Sequence, residues 1–233
     1  MPRRPPRKPP ADLDLSRHLL RPEELAAPLD PVSLFSASFP VELEVGSGKG
    51  MFLAAATAAN PGTNYLGIEV SGGYARLAAA KLAAANCPNG RMIHGDAMQL
   101  VSSLLPDCCL RAVHVYFPDP WWKARHRKRR ILNPVFLAHA ARLLDSTGQL
   151  HIWTDVEEYF QEAVVATAAT GRFGPPTEEP AGGPGSDYRT HFERRTRLAG
   201  APVWRAVFQR NDQPAAVARL DLPSVSPGSQ AAE

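Results

Sequence analysis

The sequence predicts an α/β domain with a doubly wound, mostly parallel sheet. Three observations carry this. Five short runs rich in β-branched, aromatic or leucine residues alternate with helical segments between residues 41 and 170. A Gly-x-Gly-x-Gly turn, Gly46-Ser47-Gly48-Lys49-Gly50, joins the first run to the first helix. An acidic residue stands at or near the end of each of the first four runs. Strands alternating with helices favour a parallel sheet covered on both faces, with right-handed crossovers.

Val41-Glu42-Leu43-Glu44-Val45 is the first strand, entering the Gly turn. An Ala-rich helix from Met51 to Ala59 follows and stops at Asn60-Pro61-Gly62, where Pro and Gly break the pattern. Tyr65-Leu66-Gly67-Ile68 is the second strand, ending at Glu69. The next helix places Tyr74, Leu77, Ala78, Leu82 and Ala85 on one face, at the 3.6-residue period. Arg91-Met92-Ile93-His94 is a third strand, ending at Asp96, and a short helix around 97–105 leads to Ala112-Val113-His114-Val115-Tyr116-Phe117, the fourth. Asn133-Pro134 opens a helix with Asn as cap and Pro at the first helical position, each suited to that place. Its apolar face is Leu137, Ala141 and Leu144, and Ser146-Thr147-Gly148 is expected to end it. Leu150-His151-Ile152-Trp153 is the fifth strand, with Asp155 expected to cap the helix after it. Residues 171–187 form a Gly/Pro-rich loop. Beyond it, 190–198 and 202–210 are expected to form a closing pair of strands, the second alternating Val203, Arg205, Val207 and Gln209 against Trp204, Ala206 and Phe208.

The ends read differently. Residues 1–10 hold five prolines and four cations and offer nothing to bury, so a disordered or polyproline arm is expected there. The arm extends to about residue 30, the domain covers 31–211, and 212–233 forms a second tail expected to be disordered. At 233 residues and 44% hydrophobic content the chain is long enough for one domain with a full core,. No apolar run approaches the ~18 residues of a membrane span, and no apolar segment follows the basic N-terminus to make a secretory signal. Cys87, Cys108 and Cys109 are odd in number and lack C-x-x-C spacing. They fit reduced cytosolic thiols, not a metal site.

The net charge of +3 conceals an asymmetry. Four cations lie in residues 1–10 and six in 123–130, with no acid in either; without those ten the chain carries −7. Such local positive charge points to a polyanion met at particular places.

In a doubly wound sheet, ligands bind at the carboxyl ends of the strands. Glu44, Glu69, Asp96 and Asp119 fall at four such ends. Four acids around one crevice suit a cationic ligand with several donors, such as a nucleoside carrying an amine and a sulfonium. The Gly turn departs from a dinucleotide fingerprint by placing Met51 where the last glycine belongs,. Each acid also has a purely structural reading: Asp96 as a helix cap, Glu44 as an outward residue of an edge strand. Phe117-Pro118-Asp119-Pro120-Trp121-Trp122 is the most informative segment. Its prolines stiffen the backbone on both sides of Asp119, and the tryptophans offer faces on which a base can stack. The run Lys123 to Arg130 begins directly after them, where a phosphate backbone would sit.

These segments together resemble the tRNA (guanine-N7)-methyltransferases. The matching pieces are Leu43 to Gly50, Gly67-Ile68-Glu69-Val70, Gly95-Asp96-Ala97, Phe117-Pro118-Asp119-Pro120-Trp121 with Lys123 and His126 to Arg130, Thr154-Asp155, and Thr190 to Arg195. The resemblance implies a seven-stranded class I, Rossmann-like methyltransferase fold and S-adenosylmethionine as cofactor. It implies a cofactor site lined by Glu44, Gly46, Glu69, Asp96 and Asp119. It also implies that Lys123, Asp155, Thr190, His191, Phe192 and Glu193 meet the substrate. The expected reaction is methyl transfer to N7 of a guanine in the tRNA variable loop, giving 7-methylguanosine, with Asp119 as the catalytic carboxylate. The expected partner is tRNA, in the cytoplasm, with no membrane, no metal and no indication of a homo-oligomer. By sequence alone, Asp155 with Glu158 reads equally as a helix capping box,. A methyltransferase of protein or small molecules, and an RNA-binding protein that has kept the fold, are the competing readings.

Overall fold

A computed structural model describes residues 13–179 and 190–211. The expected disorder of residues 1–10 and 212–233, and the 180–187 part of the Gly/Pro-rich loop, lie outside the described residues. The strands are β1 (Leu19–Leu20), β2 (Val41–Val45), β3 (Asn64–Glu69), β4 (Gly90–His94), β5 (Leu110–Tyr116), β6 (Leu144–Thr154) and β7 (Trp204–Gln209). The helices are α1 (Met51–Ala59), α2 (Gly72–Ala84), α3 (Ala97–Ser103), α4 (Pro134–Leu143), α5 (Glu157–Ala169) and α6 (His191–Leu198).

One seven-stranded sheet has the order β1-β4-β3-β2-β5-β6-β7. All neighbours are parallel except β6 and β7, which pair antiparallel from Gln149↔Gln209 to Thr154↔Trp204. The expected doubly wound, mostly parallel seven-stranded sheet is therefore present. Its outermost parallel strand comes from the N-terminal segment. Leu19 and Leu20 pair with Met92 and Ile93, and the Met92 N–H donates to His18 O at 2.8 Å.

Strand alternation sends two different sets of side chains to the two faces. Leu43, Leu66, Ile68, Val113, Val115 and Ile152 join an aliphatic core with residues of α3, α4 and α5, including Leu100, Phe136 and Phe160. Tyr65, Met92, Tyr116 and Trp153 face the other way and pack with Phe52 and Leu53 of α1 and Ala75, Ala78 and Leu82 of α2. That second face is also polar. His114 Nε2 meets Glu42 Oε2 at 2.8 Å, and its Nδ1 meets the Tyr116 hydroxyl at 2.9 Å. Burial, aided by the charge of His151 nearby, pushes the His114 pKa down to about 4, so this ring is neutral near pH 7.

Three sequence expectations are corrected. Residues 190–198 form a helix, not a strand. Thr190 caps it by accepting the Glu193 N–H at 2.9 Å, and Thr-x-x-Glu is a helix-capping pattern. Asp155 does not cap α5: Val156 occupies that position without a side-chain bond, and Asp155 Oδ2 instead accepts from Thr196 Oγ1 at 3.4 Å. Finally, α4 ends at Leu143 and β6 begins at Leu144. Leu144 is fully buried and pairs with Leu110. That tertiary pairing ends the helix ahead of the turn signal at Ser146-Thr147-Gly148.

Strands β4, β3, β2 and β5 are consecutive in the sheet. Their carboxyl ends form one uninterrupted rim, and that rim carries the candidate site.

Candidate functional site

The Gly turn rises from β2 at the middle of this rim. Gly46 and Gly48 have φ of +76° and +54°, a left-handed conformation that other residues adopt only under strain. A Cβ at either would meet nothing within 4 Å, so both face open space. Gly50 serves packing instead: a Cβ there would lie 2.5 Å from the Ala78 Cβ, where α1 meets α2. The Gly46 and Ser47 N–H groups donate to Ile68 O at 2.8 and 3.1 Å, which pins the turn to the end of β3.

Glu69 completes that clasp. Its Oε2 accepts the Gly48 N–H and its Oε1 the Ser71 N–H, both at 2.8 Å. Each carboxylate oxygen retains a second lone pair, enough to accept from a ligand hydroxyl. Glu44 is more unusual. It is 4% exposed, and its Oε2 has no hydrogen-bond partner. Burial pushes its pKa up to about 8; Ser47 acts in the opposite sense and the neighbouring Glu69 adds a smaller upward push. A buried, unpaired carboxyl oxygen carries a desolvation penalty. A cation supplied from outside would remove that penalty.

Asp96 stands after β4 as the cap of α3, with Oδ1 accepting the Gln99 N–H at 3.1 Å. The capping role open to it in the sequence is present, and Oδ2 is left for a ligand. Asp119 lies on the exposed loop after β5. Phe117 and Trp121 on either side have φ of +50° and +45°, so the backbone is strained on both flanks of the acid. Such strain persists only where surrounding structure holds it. The two intervening prolines stiffen the loop as the sequence implies, but the left-handed residues have no sequence signature.

The second group of expected residues lies mostly at the start of α6. Phe192 is 42% exposed, and its ring lies 6.2 Å from that of Phe117 with an 18° interplanar angle. Thr190 caps the helix, and the His191 ring contacts Lys81. Asp155 is exposed after β6 and linked to α6 through Thr196. Glu193 points inward. It is fully buried, and its Oε1 accepts from Arg197 at 3.2 Å and Arg205 at 3.3 Å. Its carboxylate therefore holds α6 to β7.

The basic run divides in two. Ala124–Arg129 forms a 3-10 turn. Arg130 is 5% exposed; its Nε donates to Pro120 O at 2.7 Å, its guanidinium lies 4.7 Å over the Tyr159 ring, and it pairs with Glu162. Arg127 reaches Glu158 at 2.7 Å and Glu162 at 3.3 Å. These two arginines moor the turn to α5. Arg129 stacks on Trp121 at 5.1 Å. Lys123, Arg125, Lys128 and Arg129 are exposed and pair with no acid among the described residues. Trp122 beside them is 67% exposed, an open platform for a base. In the sequence the run looks uniform; the acids of α5 that divide it lie some thirty residues away.

Among the described residues, no His, Cys, Asp or Glu cluster is able to hold a metal, and no helix is long and apolar enough to cross a membrane.

Residues 38–206 match the family described as "Putative methyltransferase". The chain is 43% identical over 218 residues to the tRNA (guanine-N(7)-)-methyltransferase of Rhodopirellula baltica, covering 90% of this chain and 80% of that protein. It is 39% identical over 189 residues to the one from Sodalis glossinidius, covering 79% and 78%. Among solved structures it is similar to a 16S rRNA (adenine(1408)-N(1))-methyltransferase from Catenulisporales acidiphilia with its cosubstrate SAM. The TM-score is 0.52 at 15% identity, covering 76% of this chain and 88% of that one. An aminoglycoside-resistance methyltransferase gives a TM-score of 0.51 at 16% identity, covering 74% and 87%. At such identities the likeness is one of fold.

Proposed function

Because the chain belongs to the tRNA (guanine-N7)-methyltransferase family, we propose that it transfers a methyl group from S-adenosylmethionine to N7 of a guanine in the variable loop of tRNA, giving 7-methylguanosine. The observation that carries this reading is the acidic rim: Glu44, Glu69, Asp96 and Asp119 on or just after the carboxyl ends of four adjacent strands, with one buried Glu44 oxygen unpaired.

The residues present fit that cofactor. Gly46 and Gly48 leave space above the turn. Glu69 and Asp96 would accept from its hydroxyl and amino groups. The unpaired Glu44 oxygen fits its positively charged amino acid end. Asp119 lines the same rim on the RNA side. When bound, S-adenosylmethionine supplies a methyl group activated by a sulfonium.

The chain's own contribution follows from the nucleophile. Guanine N7 carries an in-plane lone pair and no proton, so no general base is required. Holding N7 in line with the bond to be broken supplies much of the rate. As N7 is alkylated, positive charge grows on the imidazole ring of guanine. A carboxylate fixed nearby stabilises that charge in the transition state. Asp119, held by its strained loop, takes this role. N7 lies in the deep, narrow groove of A-form RNA, out of reach of side chains. The target base must therefore sit in a loop or turn out of its stack. In this reading the exposed rings of Phe192 and Trp122 offer faces on which bases stack,, and Asp155, Thr190 and His191 contact the RNA. The reaction belongs in the cytoplasm, where thiols such as Cys87, Cys108 and Cys109 stay reduced.

Mass mapping of tRNA after incubation with the protein and S-adenosylmethionine tests the reading. One added methyl group on a variable-loop guanine is expected; a methyl group elsewhere, or none, rejects it. The basic turn gives a second test. Changing Lys123, Arg125, Lys128 and Arg129 to Ala together should reduce the salt dependence of tRNA binding by roughly 0.7–0.9 in slope for each phosphate that is no longer neutralised. Arg127→Ala should leave the slope near its wild-type value, because that guanidinium is held by Glu158 and Glu162. A wild-type slope in the fourfold variant would mean that the turn does not touch RNA.

A further inference from the structure

Many cations of this chain have acidic partners. Arg127 meets Glu158 and Glu162, Arg142 meets Asp107, and Arg197 and Arg205 share Glu193. A different situation holds where the Gly turn, α2 and the start of α6 converge. Lys81 Nζ lies 3.5 Å from His191 Nε2. Lys49 stands over the Tyr74 ring of α2 at 5.8 Å. Arg194 follows His191 by three residues, on the same side of α6,. Burial lowers the pKa values of Lys81 and His191, and the neighbouring charges lower them further: Lys49 acts on Lys81, while Lys81, Lys49 and Arg194 act on His191. Neither Lys81 nor Arg194 pairs with an acid among the described residues. Like charges gathered from three elements oppose folding. An external polyanion would offset that repulsion.

The position of this cluster identifies the polyanion. His191 faces Lys81, while the next residue, Phe192, faces Phe117 at the end of β5, two residues before Asp119. The cluster thus adjoins the aromatic wall of the crevice. It lies on the side of the sheet covered by α1 and α2. The Lys123–Arg129 turn is moored to α5, on the opposite side. The two positive surfaces flank the acidic rim from the two faces of the sheet.

Resting on the RNA-methylation reading, we infer that Lys49, Lys81 and Arg194 bind the phosphate backbone of the substrate RNA on the far side of the target guanine from the Lys123–Arg129 turn. The strand crosses the rim from one face of the sheet to the other. Phosphate contacts set register and do not read sequence. Holding the backbone on both sides of one nucleotide fixes where it crosses, and so which base falls beside Asp119.

The test is tRNA binding as a function of salt, with wild-type protein, Lys81→Ala/Arg194→Ala and Lys81→Glu. The double variant should lower the magnitude of the salt slope by about one to two, as expected when two phosphates are no longer neutralised. Lys81→Glu should weaken binding at low salt more than Lys81→Ala. S-adenosylhomocysteine affinity should stay at the wild-type level, and the melting temperature should hold or rise, since like charges are removed. A wild-type slope in the double variant, with wild-type protein binding tRNA normally, overturns the second phosphate site and leaves the enzyme reading intact. Wild-type protein that does not bind tRNA overturns both.

Discussion

Asp119→Asn will lower turnover about a hundredfold or more at saturating RNA and cofactor, the range seen when one preorganised electrostatic group is removed from an active site. The amide keeps the shape of the side chain and removes its charge. Asp119 is exposed and has no hydrogen bond among the described residues that the fold needs, so the variant should melt close to the wild type. If the carboxylate acts on the growing charge of the guanine ring, kcat falls while tRNA affinity changes little. A rise in the KM for RNA with kcat unchanged would instead assign Asp119 to holding the base. Wild-type turnover would remove both roles. The strained residues on either side sharpen this expectation. Left-handed Phe117 and Trp121 each cost on the order of 1–3 kcal/mol, which makes sense for a loop that must hold one carboxylate in one place.

Glu44→Gln should change stability and ligand binding in opposite directions. In the ligand-free protein the Glu44 pKa is raised to about 8 by burial. The protonated form is favoured in the folded state, so the stability linked to this group is present below its unfolded pKa. It is lost as pH rises from there through the folded value. Gln cannot ionise and escapes the loss. The melting temperature of Glu44→Gln relative to wild type should therefore climb between about pH 5 and pH 8, then level off, the accumulated gain being at most a few kcal/mol. S-adenosylhomocysteine should bind the variant at least tenfold more weakly, because a neutral amide replaces the partner of its ammonium. Binding to wild-type protein near pH 7 should release up to one proton as Glu44 ionises against that cation, and binding to the variant should not. Calorimetry in buffers of different ionisation enthalpy reads this directly. Equal proton release from both proteins would show that Glu44 does not face the cation.

The parts of this protein legible in the sequence are those encoded locally. The five β-α units of the sheet follow from runs of apolar residues punctuated by Gly, Pro and capping residues. The acids Glu44, Glu69, Asp96 and Asp119 follow from the same pattern, because a residue that ends a parallel strand stands on the binding edge whatever its neighbours. The family resemblance rests on short motifs in order, and the count of seven strands comes only with it: β1, which lies in the segment read as an arm, is a strand through its pairing of Leu19 and Leu20 with Met92 and Ile93. The errors fall where a local signal had a competitor. Thr190-x-x-Glu193 capped a helix in a segment expected to be a strand pairing with 202–210, and Leu144 left its helix to pair with Leu110.

Sheet order placed β4, β3, β2 and β5 side by side and so brought the acids onto one rim. Residues distant along the chain made Arg127 and Arg130 into moorings of the basic turn, turned Glu193 inward, and set Lys81 against His191. Burial and charge depend on what surrounds a side chain in space. A lysine or glutamate has the same letter whether it is paired, buried or bare; composition and spacing name the groups, and packing assigns their partners.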